Sequence, residues 1–146
     1  GDMVIKTRQK NSFQSYVNGW KYRIAQQKKI HTQLYSKTLE KVEQSVRVLS
    51  LLASIKKVIL FGSVLHTDSF NEYSDIDLAY VGNIPARDYF FLINQLEDIC
   101  AREINLVDLD TCSKSLRRVI EEDGKTLYSA GGKNDKRITE IITNKK

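Results

Sequence analysis

Residues 60–82, LFGSVLHTDSFNEYSDIDLAYVG, place a glycine–serine pair after one apolar run and two aspartates, Asp75 and Asp77, inside another. Aspartate is a poor strand former, so its double appearance among Ile76, Leu78 and Ala79 asks for a chemical reason. Val58-Ile59-Leu60-Phe61 reads as a short buried strand ending at Gly62, and Asp75 to Val81 as a second strand. Side chains alternate across a strand, so Asp75 and Asp77 project from one face while Ile76 and Leu78 pack on the other. Two carboxylates so placed repel each other unless a cation lies between them. A divalent cation with oxygen preference, Mg²⁺ above all, meets that need and binds through one or two carboxylates plus substrate phosphates. Gly62 lets the backbone approach a phosphate closely, Ser63 offers a hydroxyl and an N–H, and a helix start there adds its own donors. Together these features read as a seat for a metal-chelated nucleoside triphosphate.

Outward from this stretch, the chain alternates helical and strand patterns. Phe13, Tyr16, Val17, Trp20 and Ile24 recur at helical spacing after Asn11 and Ser12, either of which suits a helix cap. The period resumes from Tyr35 through Leu39, Val42, Val46 and Leu49 after the polar interval Gln26 to Thr32, which predicts two helices or one long bent one. Its aromatic stripe is read as packing surface. Beyond Gly82 and Pro85, a helix is expected over about Arg87 to Ala101, with Tyr89, Phe90, Ile93, Leu96 and Cys100 on its apolar side. Glu103 to Leu109 reads as a third strand. Ser113 then caps a helix carrying Leu116, Val119 and Ile120, and Gly124 sits where a left-handed residue would end it. Gly131-Gly132 reads as a hinge into a tail in which Ile138, Ile141 and Ile142 suit one or two further helical turns.

A chain of 146 residues with 41% hydrophobic content suits a single globular core. The expected organisation is an N-terminal helical region over 1–54, packing on or extending from a core at 55–130, and a tail at 131–146. The net charge of +5 divides unevenly: residues 1–50 carry 10 Lys/Arg against 3 Asp/Glu, residues 51–128 carry 8 against 13, and residues 129–146 carry 5 against 2. Basic flanks around an acidic centre suit a polyanionic partner or a solvated helix surface equally well in kind; the absence of an arginine-rich run with interleaved aromatics favours the latter. Without a long apolar span or a secretory leader, no membrane role is expected and the chain is assigned to the cytoplasm. Cys100 and Cys112, at no metal-ligand spacing, read as small buried apolar residues.

The strand ending in Gly62-Ser63, the irregular segment of ten residues, and Ser74-Asp75-Ile76-Asp77-Leu78 resemble the signature of the DNA polymerase β-like nucleotidyltransferases, in their minimal, antitoxin-type form. IPARDYFFLINQLEDICAREINLVDLD resembles that domain's helix and third strand, and LRRVIEEDGKTLYSAG its closing helix and short strand. The resemblance implies an α+β nucleotidyltransferase fold: a small mixed sheet flanked by helices, here with an N-terminal helical extension. It implies Mg²⁺ held by Asp75 and Asp77, the phosphates of ATP or another nucleoside triphosphate on Gly62 and Ser63, and His66 in the loop where a family arginine often sits. It further implies transfer of a nucleoside monophosphate, AMP foremost, to an acceptor such as a protein, an RNA or a small molecule, and a helical partner protein; a dimer is an open alternative.

The third strand departs from the family pattern. Asn105 stands where a third carboxylate belongs, and an asparagine lends a carbonyl oxygen but neither accepts a proton nor offsets charge. Glu103 shares the strand face of Asn105 and is the acid placed to substitute, whereas Asp108 falls on the opposite face. Two expectations follow. One is a nucleotidyltransferase; the other is a catalytically weakened, antitoxin-type module that binds nucleotide or a partner.

Overall fold

The computed structural model describes the backbone of residues 2–131 and side chains from Ser12 onward. Two compact units divide at Leu34 and Tyr35. A single helix, α1 (Asp2–Ser50), runs through that boundary. The polar interval Gln26 to Thr32 therefore does not break it: it lacks Gly and Pro, and Gln and Lys are good helix formers. Asn11 and Ser12 lie inside α1 and cap nothing, because helical backbone already precedes them. Within the first unit, Phe13 and Tyr16 are 67% and 68% exposed and Trp20 is 55% exposed, so the aromatic stripe is not buried.

In the second unit, the rest of α1 buries Thr38, Val42, Ser45, Val46 and Leu49. Next come β1 (Ile55–Phe61), a single 3-10 turn (Ser63–Leu65), β2 (Ile76–Gly82), α2 (Ala86–Cys100), β3 (Ile104–Asp108), α3 (Lys114–Asp123) and β4 (Lys125–Ser129). The strands form one mixed sheet in the order β3-β2-β1-β4. β1 runs antiparallel to β2 and β4, and β2 parallel to β3. This is the α+β architecture expected, with the short closing strand in place.

Strand alternation separates two apolar layers. Ile59, Phe61 and Ala79 join Leu109 and Ile120 in one cluster, with Leu116 and Val107 packed against it. On the other face Val58, Leu60, Ile76 and Leu78 are fully buried. A buried contact between Ser45 Oγ and Cys100 Sγ, 3.1 Å, links α1 to α2, and the Tyr89 hydroxyl donates to the Leu106 carbonyl at 2.6 Å. Cys100 is thus the small buried residue expected, and its surroundings push its thiol pKa up, mainly through burial.

Local details correct parts of the sequence reading. On α2 the buried residues are Leu92, Leu96 and Cys100, while Phe90 is exposed: the stripe is rotated by one residue toward Leu92. Ala101, not a glycine, takes the left-handed conformation that ends α2 (φ 53°, ψ 35°). On α3 Ser113 Oγ accepts from Leu116 N–H as expected, but Val119 is exposed. Gly124 has an extended backbone (φ −71°, ψ 155°) rather than a left-handed one. Its lack of a side chain matters for space: a Cβ there would collide with the Ile120 carbonyl oxygen and lie 2.6 Å from Ile59 Cγ2. Of the expected hinge only Gly131 is among the described residues; Gly132, Ile138, Ile141 and Ile142 lie outside them.

Candidate functional site

The C-terminal end of β1 and the N-terminal ends of β2 and β3 meet at one edge of the sheet, on the face that carries the Ile59–Phe61–Ala79 layer. Register fixes the meeting: Phe61 and Asn105 both pair with Asp77, from opposite sides. Asn105 Nδ2 donates to Asp77 Oδ1 at 2.8 Å. Strand parity thus places Asp77 and Asn105 together, as the sequence implies. Asp75, immediately before β2 rather than inside it as expected, is half-buried, and its charge acts on Asp77.

Gly62 ends β1 with φ 81° and ψ −159°, a conformation that L side chains rarely adopt. Space demands glycine as well. A Cβ here would run into Asp77 Oδ2 and lie 3.1 Å from Asp77 Cγ. The turn backbone therefore lies directly against the carboxylate, and the glycine–serine pair and the aspartate pair belong to one site. After Gly62 the chain makes only a single 3-10 turn, closed by Leu65 N–H to Gly62 carbonyl, 3.1 Å, and His66 N–H to Ser63 carbonyl, 3.2 Å. Ser63 is half-buried and His66 exposed.

The electrostatics of Asp77 are those of a site waiting for a counter-charge. Burial raises its carboxyl pKa first of all; the Asn105 hydrogen bond pulls it down, and the neighbouring Asp75 charge pushes it up again. Desolvation and a like charge both disfavour the carboxylate, and a cation would relieve both. The donor set suits an oxygen-preferring ion that arrives with phosphates: two neighbouring carboxylates and no thiol or imidazole between them. It is no closed protein cage, since among the described residues no three His, Cys, Asp or Glu side chains gather into a metal-binding group. The third position offers Asn105, whose amide hydrogen is already directed at Asp77. Glu103 precedes β3, with its side chain exposed and its carbonyl accepting from Ile76 N–H at 2.9 Å. Asp108 is otherwise engaged. Its Oδ1 accepts from Asp110 N–H at 3.0 Å in the turn after β3.

One group central to the site escaped sequence reasoning. Arg102 Nη1 donates to the carbonyls of Asn71, 3.0 Å, and Ser74, 2.8 Å, while its guanidinium sits 4.7 Å from the centroid of the Phe70 ring. Phe70 is buried and meets Tyr35 edge-on, and the Tyr35 hydroxyl donates to the Val64 carbonyl at 2.8 Å. Within the same loop, Ser69 Oγ donates to Ser63 carbonyl, 3.0 Å, and Asn71 N–H to Ser74 Oγ, 2.9 Å. The segment between the turn and the aspartates is therefore pinned from α1, from the connection between α2 and β3, and from within. A signal existed in the sequence: Arg102 is the single Lys or Arg between Arg87 and Lys114.

Comparison with known proteins agrees with this geometry. Residues 43–132 match the polymerase beta nucleotidyltransferase family, and the chain belongs to it. A relative, the protein adenylyltransferase MntA of Aphanizomenon flos-aquae (strain 2012/KM1/D3), is 30% identical over 102 residues, covering 62% of this chain and 67% of its own. Among solved structures, a toxin–antitoxin crystal structure with AMP-PNP is similar at a TM-score of 0.52, with 23% identity, covering 73% of this chain and 83% of that one. A candidate minimal nucleotidyltransferase is similar at a TM-score of 0.51, with 23% identity, covering 60% of this chain and 91% of that one. These likenesses place the fold among minimal nucleotidyltransferases.

Proposed function

We propose that residues 55–130 form a transfer domain that binds a Mg²⁺-chelated nucleoside triphosphate and moves AMP from ATP onto an acceptor on another macromolecule. The observation that carries this reading is the Gly62 turn lying against Asp77, whose carboxyl also feels the charge of Asp75. The MntA relative, named as a protein adenylyltransferase, supports AMP as the group transferred and protein as the acceptor class. Asp75 and Asp77 would hold the ion; when bound, Mg²⁺ supplies charge neutralisation at the α-phosphate and the departing pyrophosphate. Gly62 and Ser63 face the β- and γ-phosphates through backbone N–H groups and the serine hydroxyl, with the exposed His66 at the rim. Arg102 fixes the loop that delivers Asp75. The acceptor hydroxyl's oxygen would bond to the α-phosphorus as the bond to pyrophosphate breaks, its proton passing to solvent water.

Asn105 favours a second reading. Its amide donates a proton to Asp77 and takes none from an acceptor. A domain so equipped holds nucleotide better than it turns it over, and serves as an antitoxin-type binding module toward a partner protein. Calorimetric titration of Mg-ATP into wild type and an Asp75→Asn, Asp77→Asn double variant tests the site, and transfer of labelled AMP to protein tests the chemistry. Binding lost in the double variant with the fold intact is the expected outcome; undiminished binding refutes the site.

A further inference from the structure

We propose that the face of α1 running from Phe13 to Leu34 is a docking surface for an acidic amphipathic helix of another protein. Phe13, Val17, Trp20 and Ile24 follow one another at alternating steps of four and three residues, and Gln27, His31 and Leu34 continue those steps. An average spacing of about 3.5 residues is the signature of a helix meant to pack along another helix, with an occasional polar residue fixing register. The seam is about 33 Å long at 1.5 Å per residue. Its aromatic members stand in solvent, Phe13 and Trp20 being mostly exposed while Val17, Ile24, His31 and Leu34 are half-buried, and a helix that exposes such aromatics along its apolar stripe is a docking element.

Charge selects the occupant. Residues 12–34 contain Lys21, Arg23, Lys28 and Lys29 and no Asp or Glu. Lys21 and Lys28 border the seam on one side and Arg23 on the other. In a parallel pair of copies Arg23 would face Lys28 of its twin, and in an antiparallel pair lysines would face lysines, so like charges oppose self-association in either direction. A helix bordered by Glu or Asp meets attraction at every one of these positions. Single-stranded RNA would find the cations but not a continuous stacking platform, because the aliphatic Val17, Ile24 and Leu34 alternate with the aromatics. The proposal rests on α1 alone and stands apart from the transfer reading.

The test uses the full chain and fluorescence anisotropy with two labelled synthetic helices of about three heptads. Both carry a leucine–isoleucine seam, one flanked by Glu and the other by Lys. The Glu helix should bind at least about tenfold more tightly than the Lys helix and weaken with added salt. Phe13→Ala with Trp20→Ala should weaken it by about tenfold or more, at unchanged helical circular dichroism. A Lys21→Glu, Lys28→Glu variant should reverse the preference. Equal binding of both helices, or binding untouched by the Phe13 and Trp20 changes, overturns the proposal. A chain that sediments as a dimer until Trp20 is replaced, or that binds an oligouridylate more tightly than the Glu helix, overturns it in favour of a second copy or of RNA.

Discussion

Asn105→Asp probes the site where its charge balance is set. The two side chains are nearly isosteric, so packing changes little, but the donor that holds Asp77 Oδ1 at 2.8 Å becomes a second acceptor. A hydrogen bond to a charged group contributes about 1.5–3 kcal/mol when buried; in this half-exposed pair solvent screening leaves roughly 1–2 kcal/mol. Removing it and adding a like charge both push the Asp77 carboxyl further up, beyond the burial and Asp75 effects already raising it. The sign follows. A carboxyl whose folded pKa is raised costs stability above that pKa, and the cost fades as pH falls to the ordinary carboxylate range. The metal-free variant should therefore melt roughly 3–8 °C below wild type at neutral pH, with the gap closing on acidification. Mg²⁺ with ATP should close it too, because a cation between carboxylates reverses the repulsion. Labelled AMP transfer should rise about 10²-fold, the scale of one positioned catalytic group, with ATP affinity changing much less. The assays are differential scanning fluorimetry across pH, with and without Mg-ATP, and transfer kinetics. A variant that melts with wild type at neutral pH and shows no gain from Mg-ATP would refute the placement of Asn105 beside the ion.

Gly62→Ala should abolish Mg-ATP binding by calorimetry, because its Cβ displaces the Asp77 carboxylate, and a non-glycine residue at φ 81° adds about 1–2 kcal/mol of destabilisation. Arg102→Ala should raise amide hydrogen exchange across residues 71–76 and weaken Mg-ATP binding severalfold, with Arg102→Lys a partial rescue, since an ammonium can still reach the two carbonyls that Nη1 serves but does not stack flat on Phe70 as a guanidinium does. Glu103→Gln should lower transfer without changing ATP affinity if Glu103 serves the acceptor, and kinetics unchanged by it would remove that residue from the site.

Much of the fold and the meeting of site residues was legible because both rest on period-two alternation. Asp77 and Asn105 share a face for the same reason that Leu78 and Leu106 share the other, and no long-range knowledge beyond strand pairing is needed. Gly62 was legible as a glycine that the backbone requires, though its contact with Asp77 emerges only from the register that pairs Asp77 with Phe61. The errors lie where local signals had competitors. Gly124 carries the residue type of a left-handed cap, but close approach to Ile120 and Ile59 is what requires it. Phe90 fits the helical period as well as Leu92 does, and only tertiary packing chooses between them. Arg102 was overlooked because it acts through backbone carbonyls, which leave no mark in the sequence of their owners.

The register carries the charge argument one step further. Continued one residue beyond β2 and β3, the pairing that sets Asn105 beside Asp77 sets Glu103 beside Asp75, and Ile76 N–H already donates to the Glu103 carbonyl there. With aspartate at 105, Asp77 would face a second carboxylate on the neighbouring strand in place of an amide donor, a costly arrangement whenever metal and nucleotide are away. Asparagine replaces that repulsion with a hydrogen bond. The residue that stands where a third carboxylate is expected is thus the one whose amide eases the burden on the Asp77 carboxylate. A domain that spends much of its time without nucleotide, or bound to a partner instead, gains from that exchange, whereas an enzyme under constant turnover would not; the Asn105→Asp comparison measures both sides of it in one protein.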